Sequence, residues 1–486
     1  MKLVQTKNSF PRLHVELSNL GPVFEAEFDV KNITMICGGN NVGKTYTTYA
    51  VYGFLCFFRS FEYSNILADD VKKIIANGNY SISALDIINK LKALLNEASK
   101  EYCEPRILAS VFGANDSFFR GAKFNLSIPN LNYETLLGVI ANREGEQLLD
   151  PNRVLRWTVL DDSIRFAIIQ KEGHKEPVNR LLHRGPLSYR VSMAVNSFFI
   201  KYILGSCLPT VHILCAERTG AVIFQKELDF NRNSLLEVLR GGDMKASPIY
   251  RFFQEYSSHY PLPIKANVNT ARDIPEGSRS FLVEGKESRC RKVLDTFADI
   301  IGGDYKIVRG RMKFLPREEL QKRLDMVLSS SSIRALMHMA VYLYYQAQVG
   351  DILIIDEPEQ NLNPVNQRKI ARLFALLSTL GVRIFITTHS DYIVREINNI
   401  VMLNHANEVL KARLCAQYNY RTEELVGAKD VEVCWAQLKT RQQRKKTKRV
   451  VIIEAQKVSP NSGVDAKFFN DTIDEMNEIQ AELAFA

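Results

Sequence analysis

Three short stretches hold the residues best suited to chemistry. The first is GGNNVGKT at 38–45, directly after the apolar run Ile33–Cys37. Gly38 and Gly43 let backbone N–H groups turn inward around phosphate oxygens, with Asn40 and Asn41 between them in the loop. Lys44 is spaced to reach the outer phosphates, and Thr45 brings a hydroxyl for Mg²⁺. The second stretch is Asp356–Glu357, where the apolar run DILII ends. Carboxylates at the carboxyl end of a parallel strand project into the crevice where α/β sheets bind ligands. Asp356 suits the Mg²⁺ shell, and Glu357 suits the orientation and deprotonation of a water attacking a γ-phosphate. The third stretch, IFITTHS, puts His389 at the tip of another apolar run, within reach of the same phosphate. The expected cofactors are ATP and Mg²⁺, and the expected reaction is ATP hydrolysis.

These residues need a sheet to bring them together. The segment LHVELSNLGPVFEAEFDVKNITMICGG alternates apolar and polar residues around a Gly21–Pro22 turn, which predicts two or three strands leading into the loop. YTTYAVYGFLCFF after it predicts a buried helix. DILIIDEPEQ and VRIFITTHSD are short, wholly apolar runs of the kind buried in parallel sheets. The expected fold is α/β, with a P-loop ATPase core, a mixed sheet and a helical insertion. The N-terminal half of the core covers 1–62, followed by a helical insertion at 63–114. Residues 115–225 continue the core, including a hairpin turning at Asp161–Asp162, and 226–303 form a mostly helical insertion. The C-terminal half of the core spans 304–403, including a hairpin around Gly310. A C-terminal region at 404–486 carries a basic run and a terminal helix.

The whole composition is that of a soluble globular chain, with 46% apolar and 24% charged residues. Eight scattered cysteines without a C-x-x-C pair argue against a zinc site or a disulfide framework. No signal core is present and no stretch reaches the uncharged length of a membrane span, so the expected location is the cytoplasm, with no membrane partner. The net charge of +9 permits nucleic-acid contact without demanding it. Its one concentration is KTRQQRKKTKR at Lys439–Arg449, readable as a solvated connector or as an anionic-partner site. Nothing in the sequence places that run beside the phosphate loop.

GGNNVGKT, ILIIDEPE and ITTHSDYIV, in this order, resemble the Walker A, Walker B and H-loop of ABC-type ATPases. More closely, they resemble the SMC-like ATPases of prokaryotic defence systems, related to the overcoming-lysogenization-defect family and including the ATPase subunits of PARIS and Septu. LSNLGPVFEAEF, CAERTG, SSSSIRAL and DAKFFNDTIDEMNEI extend the likeness over most of the chain. The resemblance implies that Ser329, Ser330 and Ser331 act as a signature segment completing the nucleotide site of a second protomer. It also implies Glu357 as catalytic base, His389 as γ-phosphate sensor, and Thr45 with Asp356 on Mg²⁺. Serines replace the usual glycine pair of the signature, and Asn363 stands where many relatives have an aspartate. No Q-loop glutamine is identifiable. Glu217 and Arg218 read as a corner salt bridge rather than as γ-phosphate contacts. The implied function is a slowly hydrolysing homo-oligomeric sensor or scaffold that controls a separate effector protein, such as a nuclease, with a phage protein or DNA as trigger. The alternative is an enzyme acting directly on DNA. VVIIEAQ ends at Glu454 as a metal-dependent nuclease domain would begin, but the stretch after it supplies no converging carboxylates. No helical pattern is long enough for an SMC-type coiled-coil arm.

Overall fold

The structure is a computed structural model and describes residues 11–61, 66–132, 134, 136, 143–170, 186–224, 260–275, 277–319, 322–443, 446–464 and 467–484. Much of the expected 226–303 insertion, and the centre of the basic run at 444–445, therefore lie outside the described residues. The chain divides into two compact units. One is built mainly from Phe54–Tyr102 and Asn125–Thr210, the other from Val15–Gly53, Cys103–Phe124 and Val211–Ala486.

The phosphate loop belongs to the second unit. Strands β1 (Leu13–Leu20) and β2 (Val23–Val30) form the predicted opening pair, joined through Gly21 at φ 57°. β3 (Ile33–Gly38) is buried at every residue and runs into the loop, and the helix Lys44–Ser60 leaves it. A large mixed sheet holds these strands together with the rest of the core. Its further members are β5 (Lys123–Ser127), β9 (Val211–Leu214), β13 (Ile352–Asp356), β14 (Arg383–Thr388), β15 (Val431–Gln443) and β16 (Lys446–Gln456). The strand order is β5-β1-β2-β16-β15-β3-β14-β13-β9. β9, β13, β14 and β3 are parallel neighbours, so the ends of DILIID, IFITT and ITMICG emerge side by side. The core lies against this sheet. Phe297, Leu336, Phe374, Leu377, Ile393 and Ile397, from four helices, are 0–3% exposed and cluster with Leu353, Ile355, Ile384 and Ile386. Burying each such side chain contributes about 1.5–3 kcal/mol, which fixes the parallel strands from behind.

Two expectations change here. Residues 115–225 do not simply continue the core. β6 (Glu144–Asp150), β7 (Arg153–Val159) and β8 (Ser163–Gln170) pair with β4 (Asn79–Ser83) in a separate four-stranded antiparallel sheet of the first unit. The inserted unit thus contains this sheet as well as the helices Ala68–Asn77, Ala84–Tyr102 and Leu187–Phe198. β4 is a five-residue strand between two helical runs, too short for its alternation to register against them. Second, the basic run is not a loose connector. Lys439–Gln443 and Lys446–Arg449 pair with each other across a hairpin, from Lys439↔Val450 to Gln443↔Lys446. VVIIEAQ opens no new domain. β16 lies between β2 and β15 in the main sheet, and Glu454 takes an ion pair from Lys439 at 2.5 Å.

A further three-stranded sheet, β10 (Gly303–Val308), β11 (Arg311–Pro316) and β12 (Leu324–Asp325), contains the hairpin predicted around Gly310. No described helix is long and apolar enough to cross a membrane.

Candidate functional site

The phosphate loop has its shape because of its glycines and its neighbours. A Cβ at Gly38 would stand 2.3 Å from the carbonyl oxygen of Ala436 on β15. A Cβ at Gly43, at φ 73°, would stand 2.4 Å from Val23 Cγ2. Asn41 takes φ 60°, a left-handed conformation that asparagine tolerates better than most residues. The loop is therefore wedged between two strands, and Lys44 follows at the first turn of the helix.

The Lys44 side chain is 6% exposed and folds back over the loop. Its Nζ donates to the carbonyls of Gly39 (2.7 Å) and Gly38 (3.3 Å) and lies 2.8 Å from His389 Nε2. Burial lowers its pKa, against the raising effect of Glu357, Asp356 and Glu359. Thr45 Oγ1 donates to Asp356 Oδ2 at 2.9 Å. An octahedral Mg²⁺ with oxygens at about 2.1 Å places neighbouring ligands about 3.0 Å apart, so this oxygen pair already has the spacing of two adjacent ligands. Thr387 Oγ1 donates to the other Asp356 oxygen and fixes the carboxylate plane. Asp356 is fully buried, and that burial raises its pKa despite both hydroxyl donors.

Glu357 stands at φ 51°, in the left-handed region where a residue with a side chain is strained by roughly 1–3 kcal/mol. Both sides of the residue are clamped. Its N–H donates to Thr387 O (3.1 Å), and its carbonyl accepts from Arg218 Nη2 (2.9 Å). The strain aims the carboxylate at the loop, where Oε1 lies 3.4 Å from His389 Nε2 and Oε2 accepts from Gln360 Nε2 at 2.9 Å. The His389 hydrogen bond, then that of Gln360 and the Lys44 charge, hold Glu357 down to about 2. His389 Nε2 cannot accept from Lys44 and donate to Glu357 at once. As the Nδ1–H tautomer it accepts from Lys44; with a proton on Nε2 it is a donor to Glu357 or to a phosphate arriving between them.

Glu359 was not foreseen, and Arg218 and Glu217 have other partners than expected. Glu359 accepts from His389 N–H (2.6 Å) and from Thr388 Oγ1 (2.9 Å), which sets the His389 backbone. Arg218 is 1% exposed and makes no corner salt bridge with Glu217. It donates to the carbonyls of Cys215 (3.0 Å), Asp356 (2.8 Å), Glu357 (2.9 Å) and Ala335 (3.0 Å), tying the end of β13 to the helix Ser331–Val341. Glu217 instead accepts from Tyr49 Oη at 3.2 Å, on the helix that follows the loop, and its charge helps raise Asp356. The only sequence signal for Arg218 was an arginine just past a buried strand, and nothing there names main-chain carbonyls as its partners.

Gly38, Asn40, Asn41, Gly43, Lys44, Thr45, Asp356, Glu357 and His389 thus meet at one place. Ser329, Ser330 and Ser331 do not join them. Ser330 caps the helix Ser331–Val341 by accepting from Ile333 N–H, and Ser329 Oγ donates to Asp325 O at 3.0 Å. Ser330 and Ser331 are exposed, beside the exposed Val327 (58%) and Leu328 (75%). Asn363 likewise caps a helix, Pro364–Thr379, by accepting from Asn366 N–H at 2.9 Å.

Residues 251–395 match the family model described as "AAA domain, putative AbiEii toxin, Type IV TA system". The fold is that of a P-loop ATPase. The match includes Asp356, Glu357 and His389 but begins well after the phosphate loop, and it spans less than a third of the sequence. Comparison with curated proteins finds no match. Among solved structures, the chain is similar to an Smc head bound to the C-winged helix domain of ScpA, at 12% identity over 90% of this chain and 97% of that one, with a TM-score of 0.33. It is also similar to an Smc head domain with an extended coiled coil, bound to the C-terminal domain of ScpA derived from Pyrococcus furiosus. There the identity is 12% over 96% of this chain and 98% of that one, with a TM-score of 0.31.

Proposed function

We propose that this chain binds ATP with Mg²⁺, hydrolyses it slowly, and uses the cycle to control assembly. The observation that carries the reading is that Lys44, His389 and Glu357 contact one another in a row beside the Thr45–Asp356 pair, at the ends of neighbouring parallel strands. Lys44 leaves the Gly38 and Gly39 carbonyls for the outer phosphates. Thr45 and Asp356 would hold Mg²⁺, which supplies positive charge to the phosphate oxygens. Glu357 orients the attacking water and accepts its proton, while His389 bonds the γ-phosphate. A base held near 2 accepts a proton reluctantly at neutral pH, which supports slow turnover.

The trans arrangement is supported by the exposed helix start at Ser330–Ser331. Exposed serines at a helix start are of the kind that bind anions, and in this reading they would meet the γ-phosphate held by a second protomer. In this reading the protein is a homo-oligomer that senses a trigger and holds or releases a separate effector in anti-phage defence. The defence role and the effector rest on the likeness of the motifs to such systems.

Mixing two inactive variants tests the core of this. Lys44→Ala should abolish ATP binding, and Ser330→Arg should block the trans contact while leaving the loop intact. Equimolar mixtures should regain a measurable part of the parental ATPase rate, because each pair has one site built from two intact halves. ATP affinity unchanged by Lys44→Ala, read by calorimetry, would remove the loop assignment. Mixtures that never exceed the sum of their parts would remove the trans site.

A further inference from the structure

A pocket of about 580 Å³ is lined by none of the phosphate loop residues, and its volume is in the range of small-molecule sites. Three cations line it: Arg279, Lys306 and Arg309. All three are exposed, none has an ion pair among the described residues, and no described carboxylate lines the pocket. Three cations without ion pairs around a cavity favour an anion there, with the Asp304 carboxylate turned to the Tyr344 hydroxyl at 3.1 Å. The rings of Tyr344 and Tyr345 form another wall, with centroids 6.3 Å apart. Phosphate-binding cations beside aromatic faces are the combination that holds a base and its phosphate together.

The pocket is built, not incidental. Arg309 sits at the tip of the β10–β11 hairpin at φ 52°, followed by Gly310 at φ 70°, so the turn holds an arginine where asparagine would be relaxed. Ser278 Oγ donates to Tyr345 O at 3.0 Å and Ser280 N–H to Tyr344 O at 3.1 Å, fastening the Arg279 segment to the tyrosine wall. Tyr344 and Tyr345 lie in the turn Tyr342–Gln346, which continues the Ser331–Val341 helix. Tyr305, in the pocket floor, donates its hydroxyl to Ile333 O in the first turn of that helix. Two residues on, Ala335 O accepts from Arg218, which also grips the carbonyls of Asp356 and Glu357.

We propose that this pocket binds a nucleotide unit, free or within a single strand, and that its occupancy is transmitted to the ATP site through Tyr305, the Ser331–Val341 helix and Arg218. The binding half is independent of the ATP reading, whereas the transmission half rests on it.

Fluorescence anisotropy on the full-length Lys44→Ala protein separates the two. The probes are a labelled adenosine monophosphate and a short labelled oligothymidylate. Binding of the oligonucleotide alone identifies a strand as the source, and binding of both identifies the nucleotide unit itself. For the oligonucleotide, affinity should fall about tenfold or more over a fourfold rise in salt, as expected for about three phosphate contacts. Combined Arg279→Ala, Lys306→Ala and Arg309→Asn should weaken binding at least tenfold with an unchanged melting temperature, since these side chains are exposed and asparagine suits the turn. No binding of either probe at low salt, or equal binding by the triple variant, overturns the site. For transmission, the bound probe should change the ATPase rate of the otherwise native chain at least twofold and leave Tyr305→Phe unaffected. An equal response in Tyr305→Phe, or none in the native chain, overturns that half.

Discussion

Glu357 meets two opposed demands. It is ionised down to about 2, so it is always ready to accept a proton, yet that same stabilisation makes it a weak base. Its left-handed backbone is held by a hydrogen bond that its N–H donates to Thr387 O and one that its carbonyl accepts from Arg218. Glu357→Gln preserves the shape and the Gln360 side of the contact while removing the base. Turnover should drop by about 10²-fold or more with ATP affinity retained, measured by phosphate release and by calorimetry on the same preparation. Hydrolysis at the parental rate would assign the water to another group, with Glu359 and Glu217 the nearest candidates. The residue types at this site were legible because phosphate and Mg²⁺ chemistry demands them at set spacings. Glu359, Thr387 and Arg218 were not, because each acts through a hydrogen bond to a residue far away in the chain.

At the scale of elements, β13 is held in register by its parallel neighbours and locked at its end by Arg218. A guanidinium buried without a carboxylate is costly, and here four main-chain carbonyls offset the loss of water. Arg218→Lys keeps the charge but cannot span those carbonyls with one ammonium. It should lower stability by about 2–4 kcal/mol in urea unfolding and reduce turnover, because the Glu357 carbonyl loses its anchor. Unaltered turnover in a folded Arg218→Lys protein would show that the lock is not needed to aim Glu357. β15 adds an element-scale correction. Its pairing of Ala436 with Gly38 brings the strand carrying the basic run past the phosphate loop, three residues before Lys439.

At the scale of the whole molecule, nucleotide and metal binding should govern stability, and pH should govern that binding. Burial raises the pKa of Asp356 above its usual 3.8, so folding without metal disfavours its charged form. Stability from this group is full below 3.8 and declines as pH rises through the raised folded value, where an uncompensated charge is buried. Mg²⁺ compensates that charge, so the melting-temperature gain from Mg²⁺ and ATP should be smallest in acid and grow with pH. At about one hundred times the dissociation constant the full gain corresponds to about 2.7 kcal/mol. Glu357, lowered to about 2 from 4.5, acts in the opposite sense, its stability full above 4.5 and lost as pH falls toward 2, and since it stays ionised in the folded chain above that value it does not alter the gain from ligand. Differential scanning fluorimetry across the acid range checks it, and a gain independent of pH would show that Asp356 does not hold the metal.

By itself the sequence determined which residues stand at the loop, the carboxylate pair and the strand-end histidine, together with the parallel strands that end at them. Those signals are local: a glycine spacing, a buried apolar run, a polar residue at its tip. The tertiary structure alone decided three other things. It placed β15 and β16 between β2 and β3, made β4 and β6–β8 a sheet of their own, and turned Arg218 inward to main-chain carbonyls. Each of these depends on pairing between segments tens to hundreds of residues apart, and no local period or spacing in the chain encodes such a pairing.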